Sequence, residues 1–263
     1  MLIRRFAVAL CLFIAAVGTY ALLANYTPKV GQAGKDIVWV PTPQELVDAM
    51  LDMANVASSD YVIDLGSGDG RLVIDAAKRG ATALGIEYDP KLVELARRAA
   101  GKEGVAGKAT FEEADIFESD FSKATVITMF LLPELNLKLR PKILDLKPGT
   151  RIVSNYFGMA DWRSDQARTL RQSHSRYNTA FLWIVPAKVH GTWLLDNGQI
   201  SFIQRFQDIT GTLTVGEKDM ELAGKLDGDK ISFTAGDMEY TGTVSGDTIL
   251  GTYEAGGSWS ATR

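Results

Sequence analysis

Cysteine and histidine are scarce in this chain of 263 residues, which contains one cysteine and two histidines. The cysteine, Cys11, lies inside an apolar segment, so the rest of the chain can form neither an internal disulfide bond nor a cysteine-based zinc site. His174 and His190 are too few for the usual histidine-rich metal centres. We therefore expect no metal site.

A surplus of positive charge is also missing. Lysine and arginine total 28 residues against 32 acidic residues, which gives a net charge of −4. Proteins that bind phosphate backbones normally carry a basic patch. We expect no nucleic-acid partner. Hydrophobic residues make up 46% of the chain, a composition typical of a folded globular protein rather than of a disordered chain.

One long uncharged run is present at the N-terminus. Residues 6–24 carry no charge, Arg4 and Arg5 precede them, and the first acidic residue is Asp36. This charge order is typical of a signal peptide or of a membrane anchor, and a helix of this length extends about 28 Å, close to the thickness of a bilayer core. We predict that residues 1–33 form a transmembrane anchor or signal peptide with a linker, in which residues 31–35 act as a flexible connector.

The charge order also predicts location. It indicates a membrane-associated protein whose remaining residues are exported to the periplasm, although a cytoplasmic location stays open.

Residues 38–186 alternate between short β-branched segments and segments with helical periodicity. The predicted strands are 61–65, 83–87, 110–113, 125–130, 151–154 and 179–185, and the predicted helices are 44–54, 71–79, 90–100 and 133–146. Such alternation indicates βαβ units. We predict an α/β fold with a Rossmann-like, doubly wound and mostly parallel sheet.

Residues 188–263 have a different texture, with short alternating segments separated by glycine-containing turns. Residues 224–231 are echoed by residues 242–249. We predict about eight antiparallel strands in a small β-meander or barrel domain. The aromatic residues expected to fill its core are Trp193, Phe202, Phe206, Tyr240, Tyr253 and Trp259. Trp162 and Trp183 are expected to serve packing in the preceding domain rather than substrate binding.

A glycine-rich loop follows the first predicted strand. Asp64 lies near the end of that strand, and Gly66, Ser67, Gly68 and Gly70 lead into a helix. Glycines allow the backbone to pass close to a ligand, which in a parallel sheet lies beyond the carboxyl ends of the strands. The spacing G-x-G-x-G differs from the G-x-G-x-x-G of dinucleotide-binding folds.

Two further carboxylates follow the next strands. Glu87 ends the second strand, where its oxygens can accept hydrogen bonds from ribose hydroxyls, and Asp115 follows the third. Asp115 can reach an adenine amino group.

These motifs resemble those of the class I, seven-β-strand, S-adenosylmethionine-dependent methyltransferases. Residues 40–43, 64–71 and 139–154 are similar to the branch that contains the protein-lysine methyltransferases of the ATP synthase c-subunit. The resemblance implies that Asp64 and the loop 66–70 hold the methionine part of S-adenosyl-L-methionine. It also implies that Glu87 holds the ribose, that Asp115 holds the adenine and that Thr42 lies near the cofactor.

The acceptor is less defined. The N-P-P-Y pattern of amide and nucleobase methyltransferases is absent, since residues 129–136 read Met-Phe-Leu-Leu-Pro-Glu-Leu-Asn. We predict a membrane-associated methyltransferase with a protein lysine as candidate acceptor and hypothesise that Glu134 helps to admit the amine. No catalytic residue is assigned. The alternatives are a non-catalytic envelope binding or scaffold protein with a degenerate methyltransferase domain, and a small-molecule methyltransferase whose acceptor site is closed by the β domain.

Overall fold

The computed structural model describes residues 26–171, 175–254 and 256–263. The apolar run at residues 6–24 and His174 lie outside these ranges. Among the helices within them, none combines the length and the apolar character needed to cross a bilayer.

A seven-stranded sheet forms the first part of the molecule, with strand order β3-β2-β1-β4-β5-β7-β6. Strands β1 to β5 are parallel, β7 runs antiparallel to β5, and β6 runs antiparallel to β7. The strands are β1 Tyr61–Leu65, β2 Thr82–Glu87, β3 Ala109–Glu113, β4 Val126–Met129, β5 Arg151–Asn155, β6 Gln166–Thr169 and β7 Thr179–Ile184. The helices are α1 Gln44–Met53, α2 Arg71–Lys78, α3 Pro90–Lys102 and α4 Pro133–Leu144. The predicted α/β class and its mostly parallel sheet are confirmed.

Both faces of this sheet are buried, because successive residues of its central strands are apolar. Val62 faces a core cluster that includes residues of α1, α2 and α3, whereas the next residue, Ile63, faces a second cluster that includes residues of α4. Burial on both faces explains the continuous apolar runs from which the sequence predicted these strands. At α3, Asp89 caps the helix by accepting a hydrogen bond from the Lys91 amide, just before Pro90 at the first helical position.

Strand β6 is absent from the sequence prediction. All four of its residues, Gln166 to Thr169, are exposed, and three of them are polar. An edge strand without a buried face has no alternating apolar pattern, so only its pairing with β7 defines it.

Residues 31–39, which we name the N-terminal hairpin, fold back on themselves. Trp39 donates its amide to the Gln32 carbonyl at 2.9 Å, and Gly34 donates to the Ile37 carbonyl at 2.9 Å. The prediction of a flexible connector at 31–35 is wrong in this respect, since these residues form one arm of a hydrogen-bonded turn.

A closed eight-stranded barrel forms the second part of the molecule, as the glycine-punctuated pattern predicted. Its strands are β8 Gly191–Leu195, β9 Gly198–Arg205, β10 Asp208–Val215, β11 Lys218–Asp227, β12 Lys230–Ala235, β13 Met238–Ser245, β14 Thr248–Tyr253 and β15 Gly257–Thr262. Alternate residues point into an apolar interior that includes Trp193 and Phe202, both at most 1% exposed. Tyr240 and Trp259 pack against this core, and Tyr253 contacts Tyr240.

Phe206 is the exception among the aromatic residues expected in the barrel core. It has a φ of +56° in the turn between β9 and β10, and its ring stacks on Trp162 with the centroids 5.7 Å apart. The turn lies outside the strand alternation, so its side chain packs against the sheet domain instead. Trp162 and Trp183 are each 1% exposed, which confirms their packing role.

Gln207 joins the barrel to the sheet domain. Its side-chain oxygen accepts a hydrogen bond from Trp162 Nε1 at 3.0 Å, and its side-chain nitrogen donates to the Arg163 carbonyl at 2.8 Å. In a second contact, Gly228 of the barrel approaches Gly149, which lies just before β5. The barrel therefore contacts the amino-terminal end of β5, away from the carboxyl ends of the parallel strands.

Candidate active site

One pocket lies at the carboxyl ends of the parallel strands. Seven of the eight residues predicted to hold the cofactor line it: Thr42, Asp64, Gly66, Ser67, Gly68, Glu87 and Asp115. These residues come from separate strands and loops, and the parallel register brings them to one edge of the sheet.

The glycine loop approaches its neighbours too closely for side chains. Gly66 and Gly68 have φ values of +79° and +55°, and a Cβ on Gly68 would lie 2.7 Å from Nε1 of Trp39. The Gly68 amide donates to Glu87 Oε2 at 2.9 Å. The missing side chains thus let the loop turn tightly against β2 while Trp39 covers it.

Gly70 does not line the pocket. It has a φ of +83° at the start of α2, and a Cβ there would lie 2.7 Å from the Phe111 ring and 2.8 Å from the Ala96 Cβ. Position 70 has no room for a side chain because α2 begins in close contact with β3 and α3.

Asp64 is a buried carboxylate, 3% exposed, at the pocket floor. Its Oδ1 accepts a hydrogen bond from the Thr128 hydroxyl at 2.7 Å. Burial raises the pKa of Asp64 to about 7; the Thr128 hydrogen bond opposes this rise, and the charges of Glu87 and Asp69 add to it. A cation bound in the pocket would favour the charged form of this group.

Glu87 is held by two backbone amides. The Gly68 amide donates to Oε2, and the Asp89 amide donates to Oε1, both at 2.9 Å. Each carboxylate oxygen can accept a second hydrogen bond. Glu87 is therefore fixed in orientation and can still accept hydrogen bonds from a diol.

Asp115 is paired with Lys35 of the N-terminal hairpin. Its Oδ1 accepts the Phe117 amide at 2.9 Å, its Oδ2 forms an ion pair with Lys35, and the Lys35 hydrogen bond lowers the pKa of Asp115. Lys35 Nζ also lies 4.7 Å from the centroid of the Tyr88 ring.

The hairpin residues Lys35 and Trp39 were missed by sequence reasoning. No local motif marks them, and only the fold of the hairpin over the pocket brings them to the site.

The donor and acceptor set fits S-adenosylmethionine. The Ser67 hydroxyl is buried and has no hydrogen-bond partner among the described atoms, and three carboxylates, Asp64, Glu87 and Asp115, reach the same space. The cofactor carries a sulfonium, an ammonium, a ribose diol and an adenine amino group, so it supplies cations and donors to the remaining lone pairs of these acceptors.

The far end of the pocket is apolar and aromatic. It is lined by Phe130, Leu131, Leu132, Leu135, Phe157 and Tyr177. Glu134 is exposed and does not line the pocket, so the structure does not support the hypothesis that it admits the acceptor. No described residue of the barrel lines the pocket, which leaves the alternative of an acceptor site closed by the β domain without structural support.

Comparisons with known proteins agree with this geometry. A family model described as the ANTKMT methyltransferase domain matches residues 64–166. The protein-lysine N-methyltransferase of Saccharolobus islandicus (strain REY15A) is 39% identical over 152 residues, which cover 57% of this chain and 94% of that protein. The human lysine N-methyltransferase of the ATP synthase c-subunit is 34% identical over 148 residues, or 55% of this chain and 63% of the human protein.

A solved structure provides the same match in three dimensions. The crystal structure of an RNA methyltransferase from Salinibacter ruber in complex with S-adenosyl-L-homocysteine is 45% identical, with a TM-score of 0.54, and the alignment covers 57% of this chain and 96% of that chain. The residues matched by the family model include the glycine loop, Glu87 and Asp115. The chain is an enzyme rather than a non-catalytic scaffold, its cofactor is S-adenosylmethionine, and it belongs to the class I S-adenosylmethionine-dependent methyltransferases.

Proposed function

We propose that this enzyme methylates the ε-amine of a lysine side chain in a protein. The observation that carries the proposal is the apolar end of the pocket, where Leu131, Leu132 and Phe157 lie next to the cofactor residues. A lysine side chain presents four methylenes before its amine, which suits an apolar passage. The Saccharolobus and human relatives, named as lysine methyltransferases, support the same acceptor.

We propose that the predicted cofactor residues keep the roles that the resemblance implies. Asp64, Gly66, Ser67 and Gly68 would hold the methionine part, Glu87 the ribose and Asp115 the adenine, whereas Gly70 would act only through the start of α2. Thr42 would lie beside the cofactor: it is buried, and its hydroxyl accepts a hydrogen bond from Asn155 Nδ2 at 3.2 Å. The buried position of Thr42 supports a role in shaping the pocket.

Catalysis in this pocket depends on positioning and on the exclusion of water. When bound, S-adenosylmethionine supplies an electrophilic methyl group on a sulfonium, whose transfer needs an aligned, neutral amine. Leu131 is 3% exposed and lies against Gly66, so the apolar lining beside the glycine loop is shielded from water. This arrangement would strip water from an entering amine.

The acceptor class is tested by comparing cells that contain the enzyme with cells that carry Glu87→Ala. Acid hydrolysates of total protein are analysed by mass spectrometry for mono-, di- and trimethyllysine, and nucleoside digests of RNA are analysed in parallel. We expect methyllysine to appear only with the unaltered enzyme. Equal methyllysine in both strains would overturn the proposal.

RNA is the competing acceptor, since the Salinibacter protein is described as an RNA methyltransferase. Two basic residues line the described part of the pocket, and each is paired with an aspartate: Lys35 with Asp115, and Arg71 with Asp69 at 2.6 Å. Neither is free to neutralise a phosphate, which favours protein over RNA. A methylated nucleoside that depends on Glu87 would reverse this preference.

We also propose that residues 6–24 attach the enzyme to a membrane. The support is the uncharged run after Arg4 and Arg5. After a carbonate wash, the full chain should stay with the membrane fraction, whereas a variant with Leu12→Arg and Ile14→Arg should be released. A reporter fused after Arg263 distinguishes export from a cytoplasmic location. Release of the unaltered chain would contradict the membrane proposal.

A further inference from the structure

Four aromatic rings form a continuous wall at the apolar end of the pocket. We name Phe130, Tyr156, Phe157 and Tyr177 the aromatic wall. The Phe130 and Tyr177 ring centroids are 5.1 Å apart, and Tyr156 lies 5.3 Å from Phe157 and 5.2 Å from Tyr177. Phe130, Phe157 and Tyr177 line the same pocket as Asp64. The rings contact one another, so a ligand would lie against the wall and not between its members.

The backbone at Tyr156 is strained. Tyr156 has a φ of +66°, and the Phe157 amide donates to the Asn155 carbonyl at 2.8 Å, as in a γ-turn. A bulky residue adopts such a conformation only where its surroundings impose it, and strain of this kind is concentrated at functional sites.

Neighbouring groups hold this turn in place. The Tyr156 amide donates to the Thr179 carbonyl at 2.7 Å, and the Phe157 carbonyl accepts hydrogen bonds from Ser154 Oγ at 2.7 Å and Asn136 Nδ2 at 3.2 Å. Three separate elements thus fix the turn, so the two rings that it carries have a defined orientation in the pocket.

A cation already lies on the wall. The guanidinium carbon of Arg176 is 4.7 Å from the centroid of the Tyr177 ring, and its Nη2 donates to the Tyr177 hydroxyl at 2.5 Å. Arg176 itself is exposed. Aromatic faces attract cations through their quadrupole, and an exposed guanidinium can be displaced by another cation at little cost.

The ring orientations disfavour a planar base. Tyr156 stands at 88° to Phe157 and at 86° to Tyr177, so neighbouring rings meet edge to face. Phe130 and Phe157 are the pair closest to parallel, at 22°, but their centroids are only 6.1 Å apart, which leaves no slot for a base. A flexible chain that ends in an ammonium can follow such a surface, whereas a base would find no slot between two parallel rings.

We propose that the aromatic wall is the acceptor-binding surface and that it takes an unbranched alkylammonium group, the side chain of lysine and of its methylated forms. This inference deepens the proposed lysine methylation and rests on it for its biological meaning. The methylenes would pack on Phe130 and Phe157, and the ammonium of the side chain, before it loses its proton or after it is methylated, would lie on the Tyr177 ring in place of Arg176.

The test measures binding of a small probe to the full-length enzyme saturated with S-adenosylhomocysteine. Pentyltrimethylammonium reproduces the fully methylated side chain, 1-hexanol is an uncharged alkyl chain without the trimethylammonium head, and uridine 5′-monophosphate represents a nucleotide. Binding is followed by saturation-transfer NMR titration. We expect the cationic probe to bind about threefold to tenfold more tightly than hexanol, as expected for a cation on an aromatic face.

Substitutions in the wall separate its contribution from general packing. Tyr177→Leu and Phe157→Leu should abolish the preference for the cationic probe, whereas Tyr177→Phe should keep it. Tyr253→Leu in the barrel is the matched control and should leave the preference for the cationic probe unchanged. Retained binding of S-adenosylhomocysteine shows that each variant is folded.

Equal binding of the cationic probe to the unaltered enzyme and to both leucine variants would overturn the assignment, as would tighter binding of the nucleotide. These outcomes are independent of the hydrolysate experiment. If the aromatic wall binds the cationic probe but cells with the enzyme contain no additional methyllysine, only the proposal of lysine methylation is refuted.

Discussion

Asp64 and Thr128 are direct partners on the adjacent parallel strands β1 and β4, and the Thr128 hydroxyl donates to the Asp64 carboxylate at 2.7 Å. Both side chains are buried. The hydroxyl counteracts the burial that raises the pKa of Asp64 to about 7. The charge state of the pocket floor is thus set in part by a contact between two strands.

Cofactor affinity should depend on pH through Asp64. The cationic cofactor favours the charged carboxylate, so its affinity should rise from pH 5 to pH 8 and level off above about 7. Asp64→Asn should bind about 10-fold or more weakly at pH 8 with a nearly flat profile. Isothermal titration at several pH values measures this. An identical pH profile in both proteins would contradict the role of Asp64.

The same group should affect stability in the opposite direction. In the cofactor-free protein the pKa of Asp64 lies above its ordinary value of 3.8, so the folded state holds a proton that the unfolded state has lost between about pH 4 and pH 7. Stability therefore falls as pH rises through this window. Urea unfolding at pH 5 and pH 8 measures the decrease in the free energy of unfolding between these two values. This decrease should be smaller by roughly 1–3 kcal/mol in Asp64→Asn than in the unaltered protein.

Thr128→Val should shift the binding profile towards higher pH. It removes the hydroxyl that favours the charged form of Asp64 while keeping nearly the same volume, so the midpoint should rise by about one pH unit. Thr128→Ser keeps the hydroxyl and should leave the midpoint where it is. The pH titration of cofactor binding distinguishes these outcomes, and equal midpoints in all three proteins would exclude this contribution.

Glu87→Gln should weaken cofactor binding about 10-fold to 100-fold. Both oxygens of Glu87 accept backbone amides, so the NH₂ of glutamine must face one of these donors. Glu113→Gln is the matched control because Glu113 lies directly opposite on β3, is exposed and does not line the pocket. If both variants bound the cofactor equally, the ribose assignment of Glu87 would be lost.

Lys35→Met should speed cofactor release several-fold. The variant loses the ion pair that ties the N-terminal hairpin to Asp115, while most contacts within the pocket remain. The Trp39 indole over the glycine loop provides a fluorescence signal for stopped-flow dissociation. Lys29→Met, whose side chain is exposed, should release the cofactor at the normal rate. Equal rates in the two variants would show that the hairpin does not retain the cofactor.

Gln207→Ala should destabilise the protein by about 1–3 kcal/mol, because it leaves the buried Trp162 Nε1 without its acceptor. Gln199→Ala, on an exposed position of the same barrel, should cost less than about 0.5 kcal/mol. Urea unfolding compares the two. A similar loss in both variants would mean that the Gln207 contacts do not hold the junction.

The sequence by itself determined the features that depend on neighbours along the chain. The strand that contains Asp64, the glycine loop up to Gly70 and the helix after it are encoded within a short stretch, because period and turn chemistry are local. The register of parallel strands then placed Glu87 beside the loop. The barrel could likewise be predicted from the sequence, since alternating apolar residues and glycine-containing turns repeat regularly in it.

Only the tertiary structure decided which distant residues share the pocket. Lys35 and Trp39 reach it because the hairpin folds back, and Phe130, Phe157 and Tyr177 meet there although they follow or precede different strands. Strand β6 has no apolar periodicity, and the turn at Phe206 leaves the strand alternation. Contacts of this kind depend on packing between elements, which leaves no periodic trace in the sequence and is fixed when the elements bury their shared apolar surface.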